Sequence, residues 1–159
     1  MDKEITLRKA SIKDTQTVFN LILELAEHEK SPNKVIATPD NLKDYLFVDN
    51  AIFEVVLAEM NHHAVGFALF FQNFSTVLGR PGIFIEALFV KAEYQRKGIG
   101  RQLMAYIANY ANKRDFLRVE WAVFEWNTSA IEFYEKIGGQ LNQTLKIFRL
   151  PKENIATLI

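Results

Sequence analysis

The chain predicts a mixed domain of α+β or α/β class built around one sheet. The apolar pattern changes period repeatedly, giving the order strand, two helices, three strands in a row, helix, strand, helix, strand. Only the crossover through residues 101–113 requires parallel neighbours, so the remaining pairings are free to be antiparallel. A length of 159 residues suits one domain, 1–159, that buries well over half of its unfolded surface without disulfides or metals.

Each element has a local cause. Ile5-Thr6-Leu7-Arg8 alternates as a strand, and Ser11 or Asp14 then caps a helix with Val18, Leu21, Ile22 and Leu25 on one face, ending near Lys30-Ser31-Pro32. Thr38 caps the next helix, Pro39 takes its first position, and Leu42, Tyr45 and Leu46 point to the core. Ile52 to Glu59 and Val65 to Phe71 form a hairpin around Asn61-His62-His63. Gly79-Arg80-Pro81-Gly82 punctuates before the apolar run Ile83 to Val90. A third helix carries Leu103, Met104, Ile107, Ala108 and Ala111, and Leu117 to Phe124 returns as a strand. Asn127 or Thr128 caps a fourth helix bearing Ala130, Ile131, Tyr134 and Ile137, Gly138-Gly139 stops it, and Lys146 to Leu150 is a last strand. No internal repeat or low-complexity segment interrupts this order.

Composition narrows the functional classes. Nineteen basic residues balance nineteen acidic ones, so the net field predicts neither a nucleic-acid partner nor a membrane surface. The absence of cysteine removes disulfides, thiolate metal sites and thiol nucleophiles together. With no apolar signal core in Met1-Asp2-Lys3-Glu4-Ile5, a cytoplasmic location is expected. His28, His62 and His63 lack the spacing of a helical metal pair, so no metal site is predicted.

The chemistry concentrates where Ile83-Phe84-Ile85-Glu86-Ala87-Leu88-Phe89-Val90 passes through Lys91-Ala92-Glu93-Tyr94 into Gln95-Arg96-Lys97-Gly98-Ile99-Gly100-Arg101 and a helix begins. Amides at a helix start have no intrahelical acceptor and carry the positive end of the dipole, which suits a diphosphate. Gly98 and Gly100 allow close approach, and Arg96, Lys97 and Arg101 add positive charge. A dinucleotide fingerprint would need a third glycine where Leu103 stands, Glu120 lies inside its strand, and no G-x-x-x-x-G-K-[ST] occurs. A reading of Lys91, Arg96, Lys97 and Arg101 as an RNA-phosphate patch lacks a wider basic face.

Q-x-x-G-x-G opening a helix after such a strand resembles the acetyl-CoA diphosphate loop of the GNAT N-acetyltransferases. Asn127-Thr128-Ser129-Ala130-Ile131-Glu132-Phe133-Tyr134, closing on Gly138-Gly139, is similar to that superfamily's second signature. More specifically, Leu25-Ala26-Glu27-His28-Glu29, Val65-Gly66-Phe67-Ala68 and Glu86 in its strand resemble the spermidine/spermine (diamine) acetyltransferase branch, over about Arg8 to Pro151. The resemblance implies the GNAT fold, with a mostly antiparallel sheet of six to seven strands and helices on both faces. It also implies acetyl-CoA as cosubstrate, a small-molecule amine acceptor and a homodimer.

By the same resemblance, Leu88, Phe89 and Val90 meet the pantetheine, Gln95, Arg96, Lys97, Gly98, Ile99, Gly100 and Arg101 hold the diphosphate, and Asn127 and Ala130 line the cofactor's far end. Tyr134 matches the tyrosine that protonates the departing sulfur. Glu86 matches the carboxylate that binds the amine and relays its proton, and Glu27, His28 and Glu29 fall on the acceptor side. On its own pattern, Glu86 has three apolar residues before it and four after it, so burial is expected to raise its pKa. Alternation puts Phe84, Leu88 and Val90 on its face. Ala87 stands where the diamine branch has an aspartate and Leu145 where it has a tryptophan, so a long polycation would be held less tightly and another primary amine is also open as the acceptor. The expected activity is direct acetyl transfer to a small, cationic primary amine, the alternative being a non-catalytic acyl-CoA-binding module on the same fold.

Overall fold

The apolar runs of the N-terminal half build the first strands of a five-stranded sheet whose order follows the chain, β1-β2-β3-β4-β5. The computed structural model describes residues 4–159, which fall into two units, Met1–Ala122 and Val123–Ile159. The opening Met1-Asp2-Lys3, read above for a signal core, lies outside the described residues. Strands β1 (Ile5–Lys9), β2 (Phe53–Met60), β3 (His63–Ser75) and β4 (Arg80–Val90) pair antiparallel, and β5 (Val119–Trp121) joins β4 in parallel. The parallel step is the one that α3 (Ile99–Asn112) makes possible by crossing over. Asn61 (φ 51°) and His62 (φ 63°) both adopt left-handed backbone in the β2–β3 turn, the type I′ geometry whose twist matches the strands it joins.

Each sheet face carries a core. On one face α3 lays Ile99, Leu103, Ile107 and Ala111 against Val56, Ala58, Val65, Ala68, Phe70, Ile83, Ile85 and Val90. On the other, Val18 and Leu21 of α1 (Thr15–His28) and Leu42 of α2 (Pro39–Leu46) cover Val55, Leu57, Phe67, Leu69 and Phe89. Each fully buried side chain of this kind contributes about 1.5–3 kcal/mol of transfer free energy, so both helical layers are held firmly.

Capping follows the sequence. Thr38 Oγ1 accepts the Asn41 N–H at 3.2 Å while Asn41 Oδ1 accepts the Thr38 N–H at 2.9 Å. Tyr45 departs from its expected core position and is 67% exposed. A two-turn helix presents one i, i+4 stripe to the sheet, and Leu42 and Leu46 fill it. Ala108 is likewise exposed, because the buried stripe of α3 passes through Ile107 and Ala111.

The expected strand 117–124 shrinks to three residues, since its ladder with β4 ends at Ile85–Trp121. In the second unit, α4 (Thr128–Lys136) and α5 (Lys152–Ile155) are helical, but the expected final strand at 146–150 does not form, and Ile147 and Phe148 are 69% and 97% exposed. A strand persists only as part of a ladder, and this unit contains no second strand. Among the described residues the sheet therefore has five strands rather than six or seven.

Arg8 ties the strands to the start of α1. Its guanidinium donates to Asp14 at 2.7 and 2.9 Å and to Glu59 at 2.8 and 3.0 Å, while the Asp14 carboxylate also accepts the Ser11 N–H at 2.8 Å. The Arg8 hydrogen bond is the largest influence on Asp14 and, against the opposing effect of burial, holds its pKa down at about 2. Because the folded value lies below the ordinary one, this stabilisation is complete at neutral pH and is lost as pH falls through about 4 toward 2. Asp14→Asn is expected to cost about 1 kcal/mol at pH 7, allowing for solvent around Arg8, and to flatten the acid limb of thermal melts between pH 4 and 2. Parallel acid limbs for variant and parent would remove this pair from the acid sensitivity.

Candidate active site

The site begins with a break in β4. Across the β3–β4 ladder Leu69 faces Ala87 and Phe70 faces Ile85, so Glu86 opposes no residue and forms a bulge. Before the bulge, Ile83 and Ile85 belong to the core under α3; after it, Leu88 and Val90 do, while Ala87 and Phe89 turn to the α1 side. The expected alternation is thereby corrected. Phe84 lies on the face opposite to Leu88 and Val90, and Glu86 is exposed instead of buried, because the extra residue carries its side chain out of the pleat.

The bulge also marks where β5 leaves. Pairing of β4 with β5 covers Ile83–Ile85 only, and β4 continues to Val90. The Lys91 N–H donates to Val65 O at 2.9 Å, and a Cβ added to Gly66 would stand 2.6 Å from Phe89 O, so the odd-numbered peptide groups face β3. By alternation, the N–H and C=O groups of Leu88 and Val90 face the side that β5 has vacated. Among the described residues that edge has no strand partner. The Gln95 side-chain amide donates to Val90 O at 3.0 Å.

From Val90 the chain makes a 3-10 turn at Ala92–Tyr94 and enters α3 through Arg96 (φ 59°) and Gly98 (φ 82°), both in the left-handed region. An added Cβ at Gly98 would meet nothing within 4 Å, so backbone conformation and not crowding is what favours glycine there. The first helical bond runs from the Gln102 N–H to Gly98 O at 3.0 Å, which leaves the amides of Ile99, Gly100 and Arg101 ahead of the ladder at the positive end of the dipole. Arg96 and Arg101 are exposed beside them. Lys97 is drawn back onto its own loop, with Nζ 2.9 Å from Glu93 O and 5.0 Å above the Tyr94 ring. Lys91 pairs with Glu24 of α1 at 2.9 Å, a tie that residues 67 apart in sequence gave no signal of.

Helix α1 delivers the acidic side. It closes in a Schellman arrangement, with the Ser31 N–H to Ala26 O at 2.8 Å and the Lys30 N–H to Glu27 O at 3.0 Å, and Lys30 itself supplies the left-handed residue (φ 58°). Glu29 is half-buried at this end, and burial pushes its carboxyl pKa up, the Glu86 charge adding to the rise and His28 opposing it. Glu29 and Glu86 are therefore electrostatic neighbours. The His28 ring packs against Phe89 at 6.1 Å. The Glu27 side chain is exposed and enters none of these contacts.

In the second unit, Asn127 Oδ1 accepts the Ala130 N–H at 3.2 Å and so caps α4. The two residues expected to line the cofactor thus organise the helix start. Tyr134 is half-buried one turn further on, its ring 5.3 Å from that of Phe133 and its carbonyl accepting the Gly139 N–H at 2.8 Å. Phe124 and Trp126 stack just ahead of the cap, 5.7 Å apart and 15° from parallel.

The family model for Acetyltransferase (GNAT) matches residues 19–139, which include β4, the loop into α3 and α4. The L-ornithine N5-acetyltransferase of Arabidopsis thaliana is 38% identical over 115 residues, 72% of this chain, and the match spans 46% of that protein's length. The thialysine N-epsilon-acetyltransferase of Caenorhabditis elegans is 30% identical over 122 residues, covering 77% of this chain and 74% of the relative. Among solved structures, an integron cassette protein from V. cholerae superposes with a TM-score of 0.81 at 23% identity, covering 97% of this chain and 96% of the other, which establishes the likeness of fold. With its family model matched across three quarters of its length and its relatives named as N-acetyltransferases, the chain belongs to the acetyltransferase (GNAT) family.

Proposed function

We propose that this chain transfers the acetyl group of acetyl-CoA to a primary amine of a small, cationic acceptor of the polyamine, diamine or lysine-like class, with its two units acting as one domain. The observation that carries this reading is the open edge at Leu88 and Val90 leading directly into the amide-rich start of α3. An extended arm bearing amides adds to such an edge as a further strand would. A diphosphate at its far end then meets the N–H groups at Gly98–Arg101 and the charges of Arg96 and Arg101. The residues present therefore fit acetyl-CoA.

Acceptor recognition falls to Glu29 and Glu86, two neighbouring carboxylates that favour a cation. His28, packed on Phe89, borders them, and Glu27 contributes charge from the exposed side of the helix end. Relatives named for the N5 of ornithine and the N-epsilon of thialysine support an amine on a short side chain as the acceptor class. In the proposed reaction Glu86, directly or through water, takes a proton from the ammonium. The freed nitrogen bonds to the thioester carbonyl carbon, the C–S bond breaks, and Tyr134 gives its hydroxyl proton to the leaving sulfur, while the second proton that the nitrogen sheds as the amide forms returns through water to the Tyr134 oxygen. No metal enters this scheme. A cytoplasmic homodimer completes the proposal, supported by the absence of cysteine and by Leu145, Ile147 and Phe148, each more than two-thirds exposed.

Free-thiol release from acetyl-CoA across polyamines, diamines, ornithine and lysine analogues tests the reading; bound CoA with no thiol from any amine would move the chain to the binding-module alternative. Tyr134→Phe is expected to lower kcat by about 10² with CoA affinity nearly unchanged, and undiminished turnover would remove Tyr134 from the chemistry. Gly98→Glu is expected to abolish CoA binding in calorimetry, because bulk and negative charge would stand at the diphosphate position. Since the folded Glu29 binds its proton more tightly than usual, ionising it costs stability as pH rises through its raised pKa. Glu29→Gln is accordingly expected to raise Tm at pH 7 by about 1–2 °C while raising the acceptor KM several-fold, a trade that a purely structural carboxylate would not produce.

A further inference from the structure

We infer that Gln95 is a positioning residue that closes the open edge of β4, setting the register of the ligand arm against it; this rests on the acetyl-CoA reading above. The inference starts from which groups the edge offers. Leu88 presents an N–H and a C=O, Val90 presents an N–H and a C=O, and of these four the last already accepts the Gln95 side-chain amide at 3.0 Å.

Local geometry makes that contact a consequence of the fold. The Tyr94 N–H donates to Lys91 O at 2.9 Å and the Gln95 N–H to Ala92 O at 3.2 Å, so the turn after β4 reverses the chain and brings Gln95 back over a residue five positions earlier. The loop motif would assign Gln95 to the diphosphate with its neighbours. Its amide is instead engaged with the strand it follows, and it acts on a ligand through that strand.

A sheet edge by itself does not say where an added strand must stop. An arm shifted by two residues along β4 would make equivalent hydrogen bonds, with its reacting end displaced by two strand rises, about 6.6 Å. With one lone pair of the Val90 carbonyl taken by Gln95, three groups of the edge remain wholly unengaged and the fourth is the weakest site for an added strand. An arm that uses all three leaves the sheet at Val90 and continues toward the N-terminus of α3. Register fixed at this point places the thioester at a constant distance from the diphosphate grip, and orientation of that kind is what governs turnover.

Gln95→Met keeps the length of the side chain and removes the donor; Gln95→Glu keeps the shape and turns the donor into an acceptor. For both, kcat is expected to fall about tenfold with acetyl-CoA and equally with S-acetylpantetheine, which lacks the diphosphate, while the calorimetric Kd for CoA changes less than twofold. A loss confined to acetyl-CoA would overturn the inference by placing Gln95 at the diphosphate. Unchanged kcat with both thioesters would overturn it by making the contact idle, and unfolding of both variants would reduce Gln95 to a structural part. Parent protein that binds neither CoA nor pantetheine would instead bring down the underlying reading, a result visible before any variant is made.

Discussion

The parting of β5 from β4 after Ile85–Trp121 is the constraint on which the rest of the site depends. Peptide groups inside a sheet are satisfied by their neighbours, so a strand offers binding capacity only where a neighbour has left. Glu86 is where this happens. As the extra residue of a bulge, it reverses which side chains enter the α3 core, sends its own carboxylate outward and leaves the backbone of Leu88 and Val90 facing the vacated edge. One inserted residue thus accounts for an acidic group and an open edge at adjacent positions.

The helix start at the end of that edge, the proposed diphosphate site, is held in place for a separate reason. Ile99, Leu103, Ile107 and Ala111 anchor α3 along its whole length, so the amides at its first turn are presented by a helix that cannot shift without opening the core. Loop segments on such scaffolds are well placed for binding because the surrounding core absorbs the cost of ordering them. Lys91–Glu24 and Gln95–Val90 extend this order into the connection itself, one toward α1 and one back onto β4.

Charge is arranged against stability on the acidic side. Glu29 sits at a helix C-terminus, half-buried, with another carboxylate near it, and each of these features disfavours its ionised form. Arg8, Asp14 and Glu59 show the opposite arrangement, in which every charge has a partner within hydrogen-bonding distance. The unfavourable setting of Glu29 is what its proposed role in holding the acceptor rests on, whereas the satisfied network around Arg8 serves folding.

Local pattern was enough to read helices α1 to α4 but not α5, the Thr38 and Asn127 caps, the β2–β3 turn and the glycine-bearing entry to α3, because capping, φ preference and apolar spacing act over a few residues. It also drew attention to Glu86, as a charge standing in an apolar run, whereas Glu27, His28 and Glu29 came only with the family resemblance. Tertiary structure alone decided that Glu86 is a bulge residue and exposed, that Tyr45 and Ala108 face solvent, that β5 is three residues long and that 146–150 forms no strand. Each of those outcomes depends on a partner distant in sequence: a ladder exists only where a second strand meets it, and a side chain is buried only where another element covers it.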